Sequence, residues 1–178
     1  MSGIFFMEYG MENILQTIIN TTLNVIKYFE EKTKSAKTIK GIKRSIQIDE
    51  VSCGAHCTYM ILKYYNKKMS IDKIKKKLGK NEYGTDEKAI FNLFKKKGLI
   101  VKTKWNATRK DIKKAVDKGW PLLITMYEGY HWVVIYGYSK AGVFVLDSAL
   151  DFISNEWEWQ EFLDVWDDRW IAVVKDVE

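Results

Sequence analysis

Near Pro121 the apolar residues change their spacing, and that switch limits the possible folds more than any other feature of the chain. Before it, apolar side chains recur at helical intervals. Cys57, Met60, Ile61, Tyr64 and Tyr65 form one face of a predicted helix over residues 53–66. Ser70 stands as an N-cap before a second helix over 71–78. Thr85, followed by Asp86 and Glu87, opens a third that runs to Lys97 and stops at Gly98. A short fourth covers 111–117 and stops at Gly119. After Pro121 the stretches PLLITMYE, HWVVIYGYS, GVFVLDS and RWIAVVKD are rich in β-branched and aromatic residues and are separated by glycine-containing turns, the mark of strands. Residues 99–105 read as a further strand. A helical first half packed on an antiparallel, strand-rich second half is an α+β arrangement.

Residues 11–29 form a separate amphipathic helix, with Ile14, Leu15, Ile18, Ile19, Val25, Ile26 and Phe29 at helical spacing. The basic, small-residue stretch KTKSAKTIKGIK (32–43) reads as a linker. The expected organisation is therefore residues 1–42 as helix plus linker and 43–178 as the main domain. The helix could dock on the domain, self-associate through 11–29, cover a site as a propeptide does, or lie on a membrane. Its Asn- and Thr-rich polar face favours the first two.

Charge and cysteine usage exclude several classes. Residues 121–178 carry a net −8 and residues 1–120 a net +14, which together give the formal +6. Lys75-Lys76-Lys77 and Lys95-Lys96-Lys97 flank apolar helix stripes, so they read as solvated helix faces rather than a nucleic-acid footprint. Two cysteines four residues apart on one helix do not make a disulfide framework. No stretch reaches the apolar length of a membrane span, and the acid-interrupted start MSGIFFMEYGMEN lacks a signal-peptide n-region. The expected compartment is the cytoplasm.

The stretch QIDEVSCGAHC (47–57) concentrates the reactive residues. Cys53 falls at a helix N-terminus, where the macrodipole and free N–H groups favour a thiolate. A thiolate nucleophile needs a base. His56 lies one turn along the same helix and points along it, whereas His131 opens a strand that could be brought alongside the sulfur. Asp147 ends the next strand, so a hairpin would bring it beside His131 as the acceptor that orients the imidazole. The Cys53 N–H and the uncharged side-chain amide of Gln47 are candidate oxyanion donors. Cys57 faces the core. A zinc site built from Cys53, His56, Cys57 and His131 would crowd ligands at i, i+3 and i+4 of one helix, so no metal or other cofactor is expected. Gly84, Thr85 and His56 are candidate substrate contacts, with a glycine turn and helix cap explaining Gly84-Thr85 equally well. Trp157, Trp159, Trp166 and Trp170 read as core and helix-packing aromatics.

QIDEVSCGAHCTYM (47–60), Tyr83-Gly84-Thr85, Pro121, HWVVIYGY (131–138) and Leu146-Asp147 together resemble the C39-like peptidases, which belong to the papain-like cysteine proteases. The resemblance covers roughly residues 43–175, in order and at approximate spacing. It implies a papain-like cysteine protease fold with Cys53 as nucleophile, His131 as base, Asp147 as orienter and Gln47 in the oxyanion hole. It also implies a peptide or protein as substrate, and a peptide or isopeptide bond as the target. Ser148 stands where the family commonly has proline. Exporter members of the family precede a transmembrane transporter that this chain lacks, so cleavage of double-glycine leaders is not implied. Three alternatives stay open: an amidase or acyltransferase using the same residues, a catalytically silent domain that binds peptides or a partner protein, which would be expected to have lost one of them, and polyanion binding through the basic half with its lysine runs at 75–77 and 95–97.

Overall fold

The computed structural model describes residues 2–79, 84–149 and 156–177. Tyr83 of the sequence motif lies outside them. The chain divides into two compact units, Met1–Ala36 and Lys37–Glu178.

The first unit is a single helix, α1 (Ser2–Lys34), longer at both ends than the predicted 11–29. Thr17, Thr21 and Thr22 each bond the carbonyl four residues back, at 2.8 Å, so these hydroxyls are satisfied within the helix. Ile14, Leu15, Ile18, Ile19, Val25 and Ile26 are exposed along it. No described helix is long and apolar enough to cross a membrane.

The second unit starts at Lys37, six residues before the predicted boundary. The linker reading fails over its last residues because β1 (Lys37–Thr38) pairs with β4, while Ile39 and Ile42 are buried in the core. The remaining elements, in chain order, are α2 (Cys53–Tyr64), α3 (Ile71–Leu78), α4 (Glu87–Lys96), β2 (Leu99–Lys104), α5 (Arg109–Asp117), β3 (Leu122–Met126), β4 (His131–Tyr138), β5 (Gly142–Leu146), β6 (Glu156–Glu158), α6 (Trp159–Val165) and β7 (Ile171–Asp176). The short β6 and α6 had no clear sequence signal. They carry Trp159, Phe162 and, just after α6, Trp166, all buried as the packing reading of these aromatics requires.

The sheet is antiparallel, in the order β2-β7-β3-β4-β5-β6, with β1 on the stretch of β4 beyond β3's reach. This is the α+β, papain-like arrangement. Helix α2 packs on β4, and nine of its twelve residues are buried, which is why its sequence is nearly apolar all round. Gly137 is required where β1, β4 and β5 meet, since a Cβ there would lie 2.7 Å from the Lys37 carbonyl and 2.8 Å from Thr38 Cγ2. One irregularity sets which face the end of β5 presents. Tyr136 is a bulge: β4 and β5 pair Tyr138↔Val143 and Gly137↔Phe144 on one side of it, but Ile135↔Val145 and Val134↔Leu146 on the other.

Candidate active site

Cys53 is the first residue of α2, so its backbone N–H has no partner in the preceding helical turn and the positive end of the helix lies at the thiol. Ser52 gives no side-chain cap; only its carbonyl engages, from His56 N at 3.0 Å. Gly54 lets α2 approach the loop before α4: a Cβ there would lie 2.7 Å from Thr85 Cβ and 3.1 Å from Trp132 Cδ1. Trp132 Nε1 donates to the Thr85 carbonyl at 3.2 Å, closing that contact from the strand side. The predicted cap of α4 moves by one residue. Asp86 accepts from Ala89 N, and Thr85 is thereby left to face Gly54.

His131 opens β4 after a turn held from outside. Tyr127 N donates to Val165 O at 2.9 Å, Glu128 N to Asp167 Oδ2 at 2.9 Å and Tyr130 N to Tyr127 O at 3.1 Å. Tyr127 and Glu128 both have positive φ (55° and 56°), a conformation that costs such residues energy and that these bonds sustain.

The structure brings Cys53, His131 and Asp147 together, although the first two are 78 residues apart. His131 Nε2 and Asp147 Oδ1 are 2.8 Å apart, which leaves Nδ1 for the sulfur of Cys53, close enough to act on the ring. Burial opposes charge on the imidazole, but the bond to Asp147 and the attraction of Asp147 and Cys53 outweigh it and push the His131 pKa up to about 9. Asp147 does not stand directly opposite His131, as a plain hairpin would have it. Extending the register Val134↔Leu146 by one residue sets Asp147 opposite Val133, diagonal to His131 and on the same face. Without the bulge at Tyr136 the register would set it opposite Val134, on the other face.

A buried polar network carries Asp147. Its Oδ1 also accepts Ala149 N at 2.8 Å. Arg44 donates to the carbonyls of Asp147 and Ala149. Ser148 Oγ donates to Gln47 Oε1 at 2.5 Å and Gln47 N to Ser148 O at 2.8 Å, which joins the Asp147 turn to the strand-like approach to α2. Gln47 Nε2 donates one hydrogen to Asp49 O at 2.7 Å, and its second is left over. Arg44 had no sequence signal as a site residue. Ser148 did, as the departure from proline, and its hydroxyl now has a definite partner.

The other candidates separate. Gly84 and Thr85 line a small cavity of about 60 Å³ with Asp49, Ser52, Ala55 and Lys75. There Asp49 and Lys75 pair at 2.9 Å, and that bond holds the Asp49 carboxyl well below its ordinary range. His56 is only 6% exposed and its Nδ1 lies 2.8 Å from Ser45 Oγ, so it is enclosed in the interior rather than presented to a substrate. Burial and the Lys75 charge lower its pKa. Cys57 Sγ donates to the Trp132 carbonyl at 3.2 Å, and burial, Cys53 and Asp147 raise its pKa. Among the described residues no group of three or more His, Cys, Asp or Glu side chains converges to hold a metal ion.

The raised His131 pKa has a measurable consequence. A histidine at about 9 when folded and about 6.5 when unfolded adds stability that is complete below pH 6.5 and lost as pH rises through 9. The loss amounts to about 3 kcal/mol. Cys57 adds a further decline only above about pH 9, and the lowered His56 acts in the opposite sense around and below pH 6.5, so the slope from about 7.5 to 9 isolates His131. Urea unfolding across that interval should show this slope, and His131→Gln should flatten it. An equally steep slope in the variant would refute the assignment.

The profile of the peptidase C39 family matches residues 42–178. The fold is similar to that of a double glycine motif protease from an AMS/PCAT transporter, solved in complex with the leader peptide. The TM-score is 0.66 at 20% identity, over 79% of this chain and 95% of that one. It is similar also to the peptidase domain of Streptococcus ComA, a bifunctional ABC transporter involved in a quorum sensing pathway. Here the TM-score is 0.66 at 19% identity, over 76% of this chain and 99% of that one. No curated protein sequence matches the chain.

Proposed function

Because this chain belongs to the peptidase C39 family, we propose that it is a cysteine peptidase that hydrolyses a peptide or isopeptide bond through Cys53, His131 and Asp147. The observation that carries this reading is the hydrogen bond between His131 and Asp147, with His131 close enough to feel Cys53 at the start of a buried helix.

His131 Nδ1 takes the Cys53 proton, and the sulfur attacks the substrate carbonyl to form a tetrahedral intermediate. The Cys53 N–H and the second Nε2 hydrogen of Gln47 stabilise the oxyanion. Collapse breaks the C–N bond, and the protonated His131 gives its proton to the departing amine, leaving a thioester on Cys53. Water, deprotonated by His131, then attacks the thioester and releases the acid. Asp147 orients the ring through Nε2 and stabilises the imidazolium. A base with a pKa of about 9 stays protonated through neutral pH, which suits it to pair with a sulfur anion and to protonate a leaving amine. The leader peptide held by the similar double glycine motif protease supports a peptide as the substrate.

Alkylation with iodoacetamide at pH 6 tests this reading. Cys53 should label at least about tenfold faster than Cys57, whose thiol is raised by burial, and His131→Ala should slow Cys53 by a similar factor. Labelling of Cys53 no faster than that of Cys57 would remove the nucleophile from the mechanism.

A further inference from the structure

Far along α2 from Cys53, a cavity of about 690 Å³ opens between four segments of the second unit. Five lysines line it: Lys63 from α2, Lys67 and Lys68 from the connection to α3, Lys73 from the first turn of α3, and Lys97 just past the end of α4. Lys63 is ten residues beyond Cys53, roughly 15 Å along the helix axis, so the cavity is separate from the triad.

Lysine is abundant in this chain, and many lysines sit on helices away from this cavity, as the exposed Lys76 and Lys77 of α3 do. These five differ because they come from different segments and converge on a concavity. A run in the sequence does not explain that. Among the described residues only Lys67 of the five is ion-paired, with Asp176 at 2.9 Å. Neighbours fix two of the ammonium groups: Lys97 Nζ donates to Lys68 O at 3.3 Å, and Lys63 Nζ to Tyr59 OH at 3.3 Å, 5.4 Å from the ring centroid. Lys67 and Lys97 are half-buried. A multivalent anion in the cavity would gain attraction from several ammonium groups at once.

We propose that this cavity is a binding site for an oligophosphate group. Lysine is a strong point-charge partner for phosphate oxygens. Several ammonium groups around one cavity call for several adjacent phosphates rather than one carboxylate. The volume is that of a small-molecule site, not of a groove for an extended polymer. Tyr59 and Met69 also line the cavity and supply an aromatic and apolar wall against which a nucleobase could rest.

Isothermal titration of the full chain with inorganic tripolyphosphate and, separately, with ATP, both at 150 mM NaCl and without divalent metal, tests the site. Saturable one-to-one binding of tripolyphosphate is expected, weakened at least about tenfold by Lys63→Gln together with Lys73→Gln and changed less than about twofold by Lys76→Gln together with Lys77→Gln. These are exposed side chains, and unfolding curves check that each variant folds. Tighter binding of ATP than of tripolyphosphate, lost in Tyr59→Ala, assigns the phosphate to a nucleotide. Equal affinities assign it to an inorganic chain. No saturable binding of either, or equal weakening by the Lys76/Lys77 pair, overturns the proposal, the latter because it marks diffuse attraction to a basic surface.

Discussion

Exchanging Cys53 for alanine should lower kcat/KM for a cleavable peptide by at least about 10⁴-fold while the protein stays folded. The sulfur is the atom that bonds the acyl group in the proposed cycle. Without it, water must attack the peptide directly, and only positioning and the oxyanion donors remain to help. Stability should move little. Cys53 is 4% exposed and the change removes one atom from the start of α2, which leaves a small void worth roughly 1 kcal/mol. Cleavage of a mixed peptide library followed by mass spectrometry, alongside thermal unfolding, separates chemistry from folding. The measurement also decides between a peptidase and a silent peptide-binding domain. Peptides retained equally by both forms, with cleavage by neither, would favour the silent domain.

Gln47→Ala should cost kcat about 10²–10³-fold with KM nearly unchanged, the signature of a donor that acts only when the oxyanion forms. The expectation rests on how the amide is held. Ser148 Oγ fixes Oε1, Asp49 O takes one Nε2 hydrogen, and Gln47 is 8% exposed, so the amide cannot turn freely. Ser148→Ala provides the comparison. It frees Oε1 without removing the donor, so kcat should fall by a smaller factor, about tenfold. A Gln47→Ala enzyme whose loss lies in KM instead would assign Gln47 to substrate binding. Ser148 would then be significant only for joining the Asp147 turn to the approach to α2.

Much of the fold was legible because the relevant signals are local. The apolar spacing of α2, the Ser70 cap of α3, the terminating glycines and the β-branched runs of β3, β4, β5 and β7 each act within a few residues. What escaped depended on distant partners. β1 is two residues long and pairs with the edge of β4 that β3 does not reach. The linker reading ran too far because Ile39 and Ile42, sparse among lysines, become core only once that pairing forms. Arg44, just past the basic linker stretch, had no signal of its own, yet it holds two carbonyls more than a hundred residues away. His56 was a candidate substrate contact, but α2 is buried on nearly every side and turns that imidazole inward to Ser45.

The candidate site divides along the same line. By itself the sequence determined that a thiol begins a helix, that a histidine begins a strand and that an aspartate ends the next, because helix and strand starts are set by nearby side chains and backbone propensities. Only the tertiary structure decided that the three meet. A strand's side chains alternate between faces, so whether Asp147 shares a face with His131 depends on a single residue of register. That residue is Tyr136, bulged from β4 at the point next to where Gly137 admits the backbone of β1 and the ring of Phe144. Alternation within one strand can be read from its own letters. The register between two strands cannot, because it is settled by packing that involves a third.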